Sequence, residues 1–125
     1  MKLEFLANGA RACPLIRLYE FNRAEAKNLR ELVKSLSNAS RQSISLEEEP
    51  WIESVEGCRL ALRLGHRDEG VRESGPSTFE CVLNSGGWNN MEGLLDPFCK
   101  SDAVGFQWLT TAGKISLLLS RVGTW

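Results

Sequence analysis

The chain has one histidine, and it stands in a run of charge, His66-Arg67-Asp68-Glu69, where an imidazole beside carboxylates has the makings of a general base. No serine or cysteine is placed by the sequence as its nucleophile, so the run reads first as a polar loop and no catalytic residue is nominated. Further on, Gly86-Gly87 opens an amphipathic segment at a point where helix N-terminal amides can hold an anion. The pair lacks the lysine of a phosphate loop. His66, Arg67, Asp68, Gly86 and Gly87 form one candidate ligand-binding set, at the junction between two halves of the chain.

Cys13, Cys58, Cys81 and Cys99 make no C-x-x-C pair, and their spacing with His66 is unlike a structural zinc site. Neither a metal nor a cofactor is expected. Cys58 and Cys81 fall inside predicted strands, as small apolar side chains do. The most unusual local composition is Glu47-Glu48-Glu49-Pro50-Trp51, with Glu53 and Glu56 close behind. Proline and charge at a strand end are a device against edge pairing. An exposed Trp51 in that setting would act as a contact anchor.

The elements that must carry these residues follow from periodicity. Leu3 and Phe5 alternate with Lys2 and Glu4 as in a strand ending at Asn8-Gly9, and a second strand runs from about Pro14 to Phe21. Asn22 and Glu25 have capping-box spacing ahead of a helix reaching Leu36, with Ala26, Leu29, Leu32, Val33 and Leu36 on one face. Strands are predicted over Arg41 to Glu47, Cys58 to Gly65 and Ser77 to Leu83. A second helix follows, carrying Trp88, Met91, Leu94, Leu95 and Phe98, with Pro97 limiting it to about Leu95 or Asp96. Gly105 to Thr110 and Lys114 to Arg121 form a hairpin that leads to Trp125.

The pattern of Tyr19 to Leu46 recurs about 62 residues later, at Cys81 to Trp108, with Leu29, Leu32, Val33 and Leu36 falling on Met91, Leu94, Leu95 and Phe98. The chain reads as a single domain of pseudo-repeat units, about 14–65 and 77–121, joined by a polar linker at about 66–76. Residues 1–8 have no counterpart ahead of the second unit. The expected fold class is α+β: two tandem βαββ units forming a mainly antiparallel sheet of about eight or nine strands, with both helices on one face.

That layout leaves a second apolar set, Ile16, Leu18, Val82, Leu109 and Leu118, on the face away from the helices. Monomers seldom expose a large apolar patch. With Arg59, Arg63 and Trp51, these residues form the candidate partner-binding surface. Trp88 and the hairpin ending at Trp125 mark the second unit as the first place to seek a partner. The reading is a noncatalytic protein-binding or regulatory module whose sheet face meets either another protein partner or a second copy of itself in a homodimer. The alternative is a small-ligand-binding protein or enzyme with its site at the junction.

Composition narrows the partners. Apolar residues make up 42% and charged residues 25% of the 125, as in ordinary globular domains, and the net charge is −1. Nucleic-acid binding across Arg17, Arg59 and Arg63 would want a basic excess, which is missing. No apolar run reaches the ~20 residues of a membrane span. Met1 to Gly9 contains Lys2 and Glu4 and no uncharged core of an export signal, so a cytoplasmic location is expected.

Overall fold

The computed structural model describes residues 1–125 and shows an α+β fold with two mixed sheets. The chain runs β1 (Lys2–Leu6), β2 (Leu15–Tyr19), α1 (Arg23–Ser37), β3 (Ser43–Ser45), β4 (Glu53–Ser54), β5 (Arg59–Leu64), β6 (Gly70–Gly75), β7 (Thr78–Leu83), α2 (Ser85–Lys100), β8 (Phe106–Thr110) and β9 (Ser116–Ser120). The first sheet has the order β4-β1-β2-β9-β8 and the second the order β3-β5-β7-β6. The expected single antiparallel sheet is therefore two. Alternation along a strand states which residues share a face but not which strand lies alongside.

The pairing exchanges strands between the halves of the chain. β2 lies parallel to β9, with Leu15 opposite Ser116 and Tyr19 opposite Ser120. β5 lies parallel to β7, with Arg59 opposite Thr78 and Leu64 opposite Leu83. Around each parallel pair the neighbours are antiparallel: β1 on β2 and β8 on β9 in the first sheet, β6 on β7 and β3 on β5 in the second. The stretch expected to be a featureless linker thus contains β6, which stands to β7 as β1 stands to β2. Its signal was a lone Val71 between turn residues.

α1 begins where its capping box predicts. The Asn22 side chain accepts from the Glu25 amide at 2.9 Å, and Glu25 accepts from the Asn22 amide at 3.1 Å. The second carboxylate oxygen of Glu25 accepts from the Met1 amine at 2.6 Å, which fastens the start of β1 to α1. α2 is capped by Asn84, whose side chain accepts from the Gly87 amide at 2.8 Å. It runs through Pro97 to Lys100, past the expected stop. A proline there forfeits one bond, to the carbonyl of Gly93, and the helix continues beyond it.

One core joins all layers. Leu3, Ile16, Leu18, Leu117 and Leu119 of the first sheet, Leu60, Leu62, Phe79 and Cys81 of the second, and the inner stripes of both helices belong to a single buried cluster. The rings of Phe5 and Phe79, 4.6 Å between centroids, bring the two sheets together. The sheets also meet where Val71 pairs with Ile115. Gly70 and Gly113 allow that approach: a Cβ on Gly113 would stand 2.6 Å from the Val71 carbonyl oxygen.

Candidate functional site

Three surfaces hold the residues nominated by the sequence. On the first sheet, alternation places Ile16, Leu18 and Leu109 on the inward face with Leu117 and Leu119, so they are core and not an open patch. Leu118 does face away from the core, in a row that runs Glu4, Arg17, Leu118, Trp108. It is nonetheless fully buried. Arg17 beside it is held by Glu4, with Nε and Nη2 donating to one carboxylate oxygen at 2.8 and 2.6 Å. Its guanidinium lies 4.0 Å from the Tyr19 ring centroid.

The C-terminal tail closes this face. Arg17 Nη1 donates to the Gly123 carbonyl at 2.7 Å, and the Gly123 amide donates to Ser120 Oγ at 3.0 Å. Gly123 has φ +92°, and an added Cβ would press on the Tyr19 ring at 3.0 Å, so glycine is required in the fold-back. The free apolar sheet face expected from the sequence is absent: Ile16, Leu18 and Leu109 point into the core, and Leu118 and Val82, which point outward, are buried within the chain.

On the second sheet, the outward face carries Arg59, Arg63, Arg72 and Glu80. Glu80 is the centre: Arg72 Nε donates to it at 2.6 Å and Arg63 Nη1 at 2.9 Å. The Arg63 guanidinium, followed by Arg72, holds the Glu80 carboxyl below the usual glutamate range against the opposing effect of burial. Val82 is buried under Gly65, where a Cβ would meet its methyl at 2.5 Å. Arg17 thus lies on one sheet and Arg59 and Arg63 on the other, so the three do not form one cationic surface.

The junction set is divided. His66 is exposed and lines two shallow concavities, one of about 260 Å³ that it shares with Arg67 and one of about 440 Å³ beside Asn84 and Ser85. Asp68 turns to the start of α2, where it accepts from the Asn84 amide at 3.0 Å. Gly87 makes room for that carboxylate, which would collide with any Cβ there. The anion position at the helix N-terminus is therefore filled from within the chain. Gly86 lines neither concavity. Trp51 is half-buried against the core, and its carbonyl accepts from the Met1 amine at 3.1 Å. Trp88 is wholly buried, its indole donating to the Arg63 carbonyl at 3.0 Å.

Two features were missed in the sequence. A groove of about 750 Å³ opens between the sheets over Phe5, Pro14, Val71 and Ile115, with Glu69, Arg72, Glu73 and Lys114 at its rim. The other is an edge. Val104, Phe106, Val122 and Trp125 are 72%, 48%, 49% and 39% exposed and are the large apolar side chains most open to solvent; all lie in the last 22 residues, around β8. The exposed apolar residues of the second unit thus lie on its rim and include Trp125, whereas Trp88 is in the core.

No grouping of histidine, cysteine and carboxylate side chains is arranged to hold a metal ion, and no helix is long and apolar enough to cross a membrane. Comparison with protein-family models, curated proteins and solved structures finds no match to this chain.

Proposed function

We propose that this chain is a noncatalytic protein-binding module, which engages its partner along β8 and the C-terminal tail. The observation that carries the reading is the contrast between β8 and the other sheet edges. β4 is two residues long and is followed by Glu56; β3 is three residues long and flanked by Arg41 and Glu47; β6 carries Arg72 and Glu73. These are the usual guards against strand addition. From Ala103 to Gly113 there is no charged residue and no proline, and β8 lies in that stretch at the end of its sheet.

The chemistry of the remaining nucleophiles supports a binding role over a catalytic one. Burial pushes the Cys58 thiol up to about 11 and the Cys81 thiol up to about 12, the reverse of an activated cysteine. The test is affinity capture from the source cells with wild-type protein and with Phe106→Lys plus Val122→Lys, the pair confirmed as folded. A specific protein held by the wild type and released by the variant supports the reading. Equal retention by both, or none by either, overturns it.

The inter-sheet groove favours a second reading, a small amphiphilic ligand. Its volume and its apolar floor with charged rim are those of small-molecule sites. In this reading the ligand sits over Val71 and Ile115, away from His66. Methyl shifts of those two residues, followed by NMR against a panel of small carboxylates and amines, would register such a ligand; unmoved methyls across the panel would end this reading.

A further inference from the structure

We infer that β8 pairs with β8 of a second copy of this chain, in an antiparallel seam about a two-fold axis at Gln107. This rests on the reading of β8 as the binding edge and names its occupant. The backbone sets the terms. Arg121 donates its amide to the Gly105 carbonyl at 3.0 Å, and Phe106 stands opposite Ser120. In an antiparallel ladder, bonded and non-bonded pairs alternate, so Gly105 and Gln107 turn their amides toward β9. Phe106 and Trp108 turn their N–H and C=O groups to the open edge.

Two copies placed about Gln107 bring Phe106 of each opposite Trp108 of the other. The register joins all four outward groups of each strand: each Phe106 exchanges both bonds with Trp108 of the second copy. It also makes two cross-strand aromatic pairs, since Phe106 and Trp108 share the outward face with Leu118 and Ser120. A shift by one residue loses both features. The absence of charge from Ala103 to Gly113 means that no like-charge pair opposes the seam, a condition a strand must meet to add to itself. The Gln107 side chain reaches this edge, where its Nε2 donates to the Trp108 carbonyl at 3.1 Å. It is neutral and swings away at small cost. The seam closes under two-fold symmetry and so yields a dimer, with the two first sheets continuous.

The experiment is sedimentation equilibrium of the full chain from low to high micromolar concentration, with amide hydrogen exchange at both ends of that range. The wild type is expected to pass from monomer to dimer, with the Phe106 and Trp108 amides gaining protection together as it does. Phe106→Lys should raise the dissociation constant about tenfold or more. Val122→Lys, on the same patch but off the seam, should leave it within about threefold. A wild type that stays monomeric overturns the self-pairing alone, and the broader binding reading then stands or falls on the affinity capture. A dimer whose Phe106 and Trp108 amides exchange as in the monomer also overturns it.

Discussion

The guanidinium of Arg121 closes the end of α2 by donating from Nη2 to the Phe98 carbonyl at 2.9 Å. The same nitrogen reaches the Ser101 carbonyl at 2.6 Å, Nε reaches Ala103 at 3.1 Å, and the plane stacks over the Phe21 ring at 4.9 Å. One buried cation thereby satisfies the orphan carbonyls of a helix terminus, where its charge also suits the dipole. Arg121→Met should cost about 2–4 kcal/mol, since the carbonyls lose their donor while staying buried. Arg121→Lys should recover less than half, because an ammonium cannot fork to carbonyls on several sides. Urea denaturation at neutral pH measures both; a midpoint unchanged in the methionine variant would contradict this role.

Leu18→Arg and Leu118→Arg are the substitutions that would split a dimer held by an open sheet face. Both side chains are buried within one chain, so each arginine should instead cost about 3–5 kcal/mol by forcing a charge into apolar surroundings. The expected result is loss of cooperative unfolding in circular dichroism, at any protein concentration. A variant that stayed folded and merely dissociated would contradict the burial of these side chains within one chain.

Glu80 makes stability depend on acid. Its folded value is depressed by Arg63 and then Arg72, so its contribution is complete above the unfolded glutamate value and is lost as pH falls through the lower folded value. Glu80→Gln should cost about 1 kcal/mol at neutral pH, a modest figure because both arginines are about half exposed and solvent screens them. The deficit should shrink below about pH 4 and vanish once the wild-type carboxyl is protonated. A difference that stayed constant from neutral to strongly acid solution would argue against the ion pairs.

Two glycines of α2 should respond to alanine with opposite signs. At Gly93 an added methyl meets nothing, so Gly93→Ala should stabilise by up to ~1 kcal/mol through helix propensity. At Gly87 the methyl would displace the Asp68 carboxylate and crowd Leu83 Cβ at 3.1 Å. Gly87→Ala should therefore destabilise by about 1–2 kcal/mol despite the same propensity gain. Thermal unfolding of the two variants side by side separates the effects, and a stabilised Gly87→Ala would refute the packing of Asp68.

Thiol reactivity should rank the cysteines. Cys58, Cys81 and Cys99 are buried and burial raises all three thiols, while Cys13 is half-buried beside Pro14. At neutral pH a disulfide reagent should label Cys13 first and reach the others at the rate of global opening. Cys13→Ser should abolish the fast phase. Rapid labelling of a second cysteine in that variant would mean that part of the core opens locally.

Local structure was largely legible in the sequence, and long-range pairing was not. The capping box of Asn22 and Glu25, the stripe from Ala26 to Leu36, and the alternation of Leu60, Leu62 and Leu64 are short-range signals that nothing in the fold overrides. β2 and β9 lie about a hundred residues apart, and their parallel pairing leaves no mark in either segment. The inward placing of Ile16 and Leu109 depends on it. Pro97 misled because inside a helix it forfeits only the bond to the Gly93 carbonyl, and the residues after it continue the helix to Lys100. β8 could have been singled out beforehand by its freedom from charge, since the guards at the remaining edges are visible in the sequence.

The exchange of strands between the halves has a consequence for a cut chain. Severed in the turn at Arg67, the N-terminal piece would hold β5 without β7 and β2 without β9, and the C-terminal piece would hold the matching strands with nothing to lie against. Neither piece owns a finished sheet, so each would be insoluble or unstructured alone. Mixed, they would be expected to recover one native fold, as a lock recovers its function only with both of its parts.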